Sequence, residues 1–511
     1  MKNTYDVIVI GGGHNGLTAA TVLARKHKKV LVLEQRPILG GIAAGEEFHP
    51  GYRTTGLLHD TSGVRRKVIK ELQLEKFGLK TKSSRAAVSI LSKDGKCLHL
   101  AADADEAAKA IAEFSGKDAE AYKAYRAFIA KISGFVNKLM DELPPDITRL
   151  QGKQLWDLIK KGWALKRLGK KTMLEFLKVA PMSVADFLNE RFETDFIKAG
   201  LAAPAIYGSF TGPWSSYTNL NLLLWECAAN EHIEGGPQAL ITALEKAAVD
   251  AGVEIRTNAG VDKITLDENG KVSGVQLKNG EVLQASAVAS SCTPRVTFYE
   301  LLLPYQLDHA LEQGIAHYRS RGTTAKVHLA VNKVPQFKGA NGPVVFARTG
   351  NSFDEMERAF DAVKYREFSE TPVLDLHIPS SEDPSLAPAG HAVVSVLVHF
   401  APYHFDAGWS EETKEALLKR VIHTLEHYAP GMKDSIVGSE ILSPADLETR
   451  YGLSHGHIFH GEQAVDQLVT RPIPSCGRYK TPVEGLYLCG SGSHPGGGIT
   501  CMPGYLAASV L

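Results

Sequence analysis

The 511-residue sequence predicts an α/β fold: a doubly wound, Rossmann-like nucleotide unit with a second, α+β domain interleaved into it. Three observations carry this. Strand, glycine and helix patterns alternate within residues 5–34. A second strand–glycine–helix pattern closes the chain at 485–511. Between them, strand patterns return at 253–291 after a long helical stretch. At roughly 150 residues per domain the length suggests two to four domains.

Tyr5–Ile10 is a short apolar run that reads as a strand buried on both faces. Gly11, Gly13 and Gly16 follow in GxGxxG spacing, then the small-residue helix Leu17–Ala24 and a second strand, Val30–Leu33, ending at Glu34. Gly11 suits the tight turn, Gly13 a close approach of backbone to pyrophosphate, and Gly16 helix–strand packing. The bare N–H groups at the helix start attract phosphate. Glu34, 18 residues past Gly16, is placed to accept the ribose hydroxyls, which favours NAD or FAD over NADP. Gln35, Arg36 and the Gly40-Gly41 pair come next; the paired glycines suit a ligand that extends past its first half, or an ordinary turn.

Gly235-Gly236 precedes a helix at 239–251, and Val253–Ile255 is a strand. A meander over 261–277 turns at Asn269-Gly270 and Asn279-Gly280, and Ala285–Ser291 is another buried strand. At the far end, Leu486–Cys489 reads as a strand feeding the loop Ser491–Gly498 and a closing helix from Ile499. That helix start can stabilise negative charge on a reduced isoalloxazine, which favours FAD over NAD.

With these residues in place, the chain resembles the FAD-dependent phytoene desaturase-like oxidoreductases, including carotenoid desaturases and ketolases. The resemblance rests on GxGxxG with Glu34, the Gly40-Gly41 pair, the 253–291 block and the tail LYLCGSGSHPGGG. Gly456–Gly461 with Asp466-Gln467 and Arg471-Pro472 is similar to the branch that holds pyridine nucleotide-disulfide oxidoreductase domain-containing protein 2. The resemblance implies that Gly11, Gly13, Asn15 and Gly16 meet the pyrophosphate and Glu34 the ribose. It places Gln35, Arg36, Gly40 and Gly41 along the cofactor, Val261 at adenine, Gly490 at the pyrophosphate and Ile499 at the flavin. It also sets His59 facing the isoalloxazine. Many flavoproteins carry Asp where this chain has Ser491, so a weaker contact is expected there.

The expected domains are 1–102, 231–295 and 441–511 for FAD, and 103–230 with 296–440 for substrate. The resemblance implies hydride transfer between a polyene or isoprenoid C–H bond and flavin N5. An amine-oxidase-like enzyme, with Tyr403 and Trp409 as available aromatics, and an FAD-bound scaffold or regulatory protein are the alternatives. His494 in the glycine loop is the first catalytic candidate beside His59; a plain loop hydrogen bond is its other reading. His455, His457 and His460 lack a nearby carboxylate set and read as loop hydrogen-bonding residues, so no metal is expected. Cys501 falls in the first turn of the expected last helix, where a thiol can be acidified.

Residues 153–178 hold eight Lys and Arg against Asp157 and Glu175, with apolar residues at helical spacing. Such a segment either lies in an anionic headgroup layer or is a solvated helix over a core. The aromatic, glycine-broken stretch 203–225 reads as an apolar pocket wall or as core. Balanced charge, with 57 basic and 57 acidic residues, argues against a nucleic-acid partner. No apolar run approaches the ~20 residues of a spanning helix. The absence of CxxC spacing and of a leader pattern points to a reduced, cytoplasmic setting. A hydrophobic small molecule is the expected partner; peripheral membrane contact and a homo-oligomer are left open.

Overall fold

A computed structural model describes residues 4–82, 85–146, 151–228 and 231–511. The first sheet orders Val261–Leu266, Val272–Leu277, Val282–Ser290, Thr4–Ile10, Val30–Leu33 and Glu254–Arg256, with Leu486–Leu488 beside Val282–Ser290. Thr4–Ile10 runs parallel to both neighbours, Ile10 lying opposite Leu33 on one side and Ser290 on the other. Helices His14–Arg25, Gly236–Asp250 and Met502–Val510 pack through Leu17, Leu240 and Leu506 on one face. Phe298, Leu311 and Ile315 cover Ile8 and Leu31 on the other. This is the predicted doubly wound unit, and it explains the uninterrupted apolar strands.

The second sheet orders Ile436–Leu442, Thr324–Val331, Ala392–His399, Val373–His377, Phe346–Thr349, Val88–Leu91 and Cys97–Leu100. Val88–Leu91 pairs in parallel with Phe346–Thr349. The expected boundary at 102 is therefore displaced: strands before it join the second sheet. Alternation along these strands separates two faces. Val327, Leu329, Val396 and Leu376 pack beneath helix Glu411–Tyr428 through Leu417, Val421 and Leu425. Lys326, His328, Asp375, His377, Ser395 and His399 occupy the opposite face and are all buried.

A helical layer formed by Ala104–Ala112, Gly116–Asp141, Val184–Asn189, Asp195–Ala202 and Thr218–Ala228 packs around Tyr125, Phe187 and Phe196. Three of these helices, Ala104–Ala112, Gly116–Asp141 and Val184–Asn189, start where Asp103, Ser115 and Ser183 accept backbone N–H bonds. The segment 153–178 is two helices, Lys153–Lys166 and Lys170–Val179, separated at Gly169, whose φ of +84° suits glycine. The closing helix begins at Met502, not Ile499, because Cys501 has φ +60° and caps it from outside. Among the described residues no helix is long and apolar enough to cross a membrane.

Candidate functional site

A crevice of about 360 Å³ opens where the strands of the first sheet end. The chain leaves Ile10 through Gly11, whose φ of +95° turns it sharply. An added Cβ at Gly16 would collide with the Gly11 carbonyl, so that glycine sets helix against strand. Gly13 differs: a Cβ there meets only the Gly40 carbonyl, at 3.9 Å. Its missing side chain leaves room rather than relieving a clash. The following helix has neither a side-chain cap nor an acid in its first turn. Its N-terminal partial charge therefore faces the crevice unopposed.

Glu34 is buried, and its carboxylate is held at both oxygens: Gly12 N–H donates to Oε2 at 2.8 Å and Arg36 N–H to Oε1 at 2.9 Å. Arg36 pairs with Glu46 at 2.6 Å and lies over the Tyr451 ring. Asn15 Nδ2 donates to Ser491 Oγ at 3.1 Å, joining positions 476 residues apart. Buried polar atoms His14 Nε2, Asn15 Oδ1, Arg36 Nη1 and His460 Nδ1 lack partners among the described residues. All four residues line this crevice. Orphaned polar atoms, a helix start and a glycine opening together fit an anionic dinucleotide.

A second cavity, of about 150 Å³, has a mainly apolar surface, to which Leu58, Met140, Leu224, Leu397, Ile458 and Ile499 contribute beside aromatic and polar residues. The His14 ring meets the Gly498 backbone, and Gly498 lines this cavity, so the first helix start forms the partition between the two spaces. Into one side projects the polar face of the second sheet. Lys326 Nζ lies 3.1 Å from His59 Nδ1. Tyr207 donates its hydroxyl to Asp375 and stacks on His399 at 5.1 Å. Trp225 Nε1–H donates to Asp60 Oδ2 at 2.7 Å.

Burial dominates the titration of this cluster. It pushes Lys326 down to about 7, holds His59 well below the ordinary histidine range, and raises Asp375. A neutral His59 that accepts from Lys326 at Nδ1 carries its own proton on Nε2, which has no partner among the described residues. Lys326 thus orients a histidine at the cavity wall.

Of the residues singled out from sequence, Gly11, Gly13, Asn15, Glu34, Gln35, Arg36, Gly40, Gly41, Val261 and Ser491 line the crevice. His59 and Ile499 line the second cavity. Gly490 lines neither; its missing side chain lets the Ser291 backbone pass against it. His494 also lines neither. Its Nε2–H donates to the Leu139 carbonyl at 3.1 Å and burial lowers it to about 4, so the loop hydrogen-bond reading replaces the catalytic one. Cys501 is buried with its thiol pushed up to about 12, the opposite of an activated thiol. His457 Nδ1 accepts the N–H groups of Phe459 and Gly461 and so orders the loop, while the His460 ring reaches the crevice. Tyr403 bonds Glu448 and Trp409 packs on Phe368, and neither lines the crevice or the second cavity. Sequence reasoning missed His14 and Tyr451 in the crevice, and Lys326, Asp375 and His399 beyond it, whereas Tyr207, Leu224 and Trp225 of the stretch 203–225 do line the second cavity. A lysine and a histidine two apart in the apolar strand Thr324–Val331 were the available signal.

Residues 16–508 match the model of the flavin containing amine oxidoreductase family. The chain is 35% identical to pyridine nucleotide-disulfide oxidoreductase domain-containing protein 2 of Rattus norvegicus, covering 100% of this chain and 94% of that one. It is 26% identical to a lycopene-forming phytoene desaturase of Pseudescherichia vulneris, covering 100% and 98%. An oxidoreductase structure from Methanosarcina mazei shares the fold, with a TM-score of 0.61 and 18% identity over 99% of both chains.

Proposed function

The chain belongs to the flavin containing amine oxidoreductase family and its cofactor is FAD; on that premise we propose that it moves hydride to or from a C–H bond of an apolar, isoprenoid-like substrate. The observation that carries this reading is the mainly apolar surface of the second cavity, continuous with the helix-start partition of the nucleotide crevice. Bound FAD supplies two-electron acceptor chemistry, which leaves binding, orientation and electrostatics to the protein. In this reading the crevice residues Gly13, Asn15, Glu34 and Ser491 hold the cofactor. Leu58, Met140, Leu224 and Ile458 bind the substrate's carbon skeleton and exclude water. His59 presents its Nε2 proton as a fixed donor, and Lys326 keeps it there. Oxidation balances when the carbon beside the hydride donor loses a proton as the C=C bond forms, and the carboxylates of Asp60 and Asp375 on the cavity wall are the groups that can accept it. The sequence likeness to a phytoene desaturase supports an apolar substrate.

Asp60 and Asp375 on the same wall favour an amine as the second reading, since a buried carboxylate receives an ammonium. Anaerobic titration of the FAD-loaded protein with isoprenoids and with amines separates the two. Bleaching of the flavin bands by isoprenoids alone is the expected result. Bleaching by amines alone would replace the first reading with the second. A flavin reduced by neither panel would leave a scaffold or regulatory role for the bound cofactor.

A further inference from the structure

An amphipathic helix on a soluble domain ordinarily turns its apolar stripe inward. Lys153–Lys166 does the reverse. Leu155, Trp156, Leu158, Ile159 and Trp163 face solvent, and both tryptophans are more than half exposed, at 57% and 60%. At 100° per residue these five fall within one side of the helix. The inward side carries Gln154, Asp157, Lys161 and Ala164, which border a groove shared with the end of helix Gly116–Asp141. No described residue of the helix is buried. The next helix, Lys170–Val179, adds exposed Leu174 and Leu177. A patch of this size and composition on a folded chain marks an interaction surface.

The charges choose the partner. Lys161 is tied to Glu142 at 2.9 Å, Lys178 to Glu190 at 3.0 Å, and Lys160 lies 3.8 Å from Asp157. Glu175 is bonded to Arg191. Lys166, Arg167, Lys170 and Lys171, at the corner between the two helices, have no ion pair among the described residues; all four are exposed. Lys166 additionally sits over the Trp163 ring, 5.9 Å from its centroid. Solvent-facing indoles flanked by unneutralised cations match the interface of an anionic bilayer, where tryptophan seats at headgroup depth and each cation gains from surface potential. A protein partner or a second copy of this chain would need a matching acidic rim around an apolar hollow; the charge argument alone is met by a lipid surface. We infer that the corner formed by helices Lys153–Lys166 and Lys170–Val179 docks this protein on anionic membrane.

The test uses the full-length, FAD-loaded chain and reads partition, not turnover, so it stands or falls apart from the proposed reaction. Vesicles of phosphatidylcholine with 30% phosphatidylglycerol should sediment the protein at least roughly tenfold better than phosphatidylcholine alone, and high salt should abolish the difference. Brominated lipid should quench the tryptophan emission of the native chain. Trp156→Ser with Trp163→Ser, and separately Lys166→Glu with Arg167→Glu, Lys170→Glu and Lys171→Glu, should each weaken partition roughly tenfold or more while flavin absorbance is retained. Four outcomes would overturn the inference: native protein left in the supernatant, equal partition to both vesicle types, variants that bind unchanged, or a solution dimer that the double tryptophan variant dissociates.

Discussion

Lys326→Met is the most revealing single change. It replaces a fully buried amine with an apolar side chain of similar length, in the middle of a strand whose neighbours are otherwise close-packed. Burial takes this lysine from 10.5 down to about 7. The unfolded chain binds the proton below 10.5 while the folded chain does not until about 7. Stability is therefore lost as pH falls through that window and is level below it. The full difference is on the order of 5 kcal/mol. Unfolding entropy near 2.1 cal/mol/K per residue gives roughly 1 kcal/mol/K for a chain of this length. The variant should thus melt about 5 °C higher than the native protein at pH 6 and gain nothing above about pH 10.5. Turnover should move the other way, falling about 10- to 100-fold, because His59 loses the partner that orients its ring. Scanning calorimetry at the two pH values, with and without FAD, reads the first effect. A variant no more stable at pH 6, or equally stabilised at both pH values, would show that Lys326 is a satisfied ammonium and refute the argument.

Other perturbations separate the crevice from the frame around it. Glu34→Ala strips two backbone amides of a charged acceptor; FAD affinity should fall roughly 10- to 100-fold, as followed by flavin fluorescence on dilution. Gly13→Ala should leave the far-UV circular dichroism spectrum native while FAD is lost, because its Cβ would enter open space. Gly16→Ala should instead unfold or destabilise the whole chain, since its Cβ would strike the Gly11 carbonyl. Six buried histidines, His14, His377, His399, His457, His460 and His494, are pushed down to about 3 or 4, chiefly by burial. The unfolded chain takes up protons from about pH 6.5 and the folded chain does not, so stability should fall as pH drops from 6.5 toward 4. The contribution is about 2 kcal/mol per histidine at pH 5, visible as a melting midpoint that drops steeply below neutrality.

The nucleotide half was legible because its demands are local. A turn, a close approach and a helix start each select a residue type within a few positions, so Gly11, Gly13, Gly16 and Glu34 can be read in order. The reactive wall was not, because it is assembled across strands. Lys326, Leu397 and Asp375 form one cross-strand row, and His328, Ser395 and His377 form the next. Read singly, each is an isolated polar residue in an apolar run; only the pairing register aligns them on one face. His494 misled for the same reason. Its loop looks poised for chemistry, but the tertiary partner that decides its role is the Leu139 carbonyl, 355 residues earlier. The segment 153–178 carried a true amphipathic signal, yet its orientation, apolar side outward, is a property of the packed molecule alone.

Why these remote stretches meet follows from the direction of the strands. Thr4–Ile10, Val282–Ser290 and Leu486–Leu488 are parallel neighbours, so the residues that follow them emerge on one edge of the sheet. Backbone bonds continue past the strand ends: Ser291 N–H donates to the Ile10 carbonyl at 2.9 Å and Cys489 N–H to the Ser290 carbonyl at 2.8 Å. Ser291 Oγ–H then reaches the Gly11 carbonyl at 3.2 Å. From that common edge the first strand leads into a helix, the second into the connection to the other sheet, and the third into the glycine loop. The connections diverge, which opens the crevice at the switch point where ligands of such sheets bind. The same geometry brings Ile499 and Gly498, at the end of the glycine loop, against the polar face of the second sheet. A redox site at the junction of the two sheets is therefore a consequence of three parallel strand ends, with the loops supplying its chemistry and the register supplying its wall.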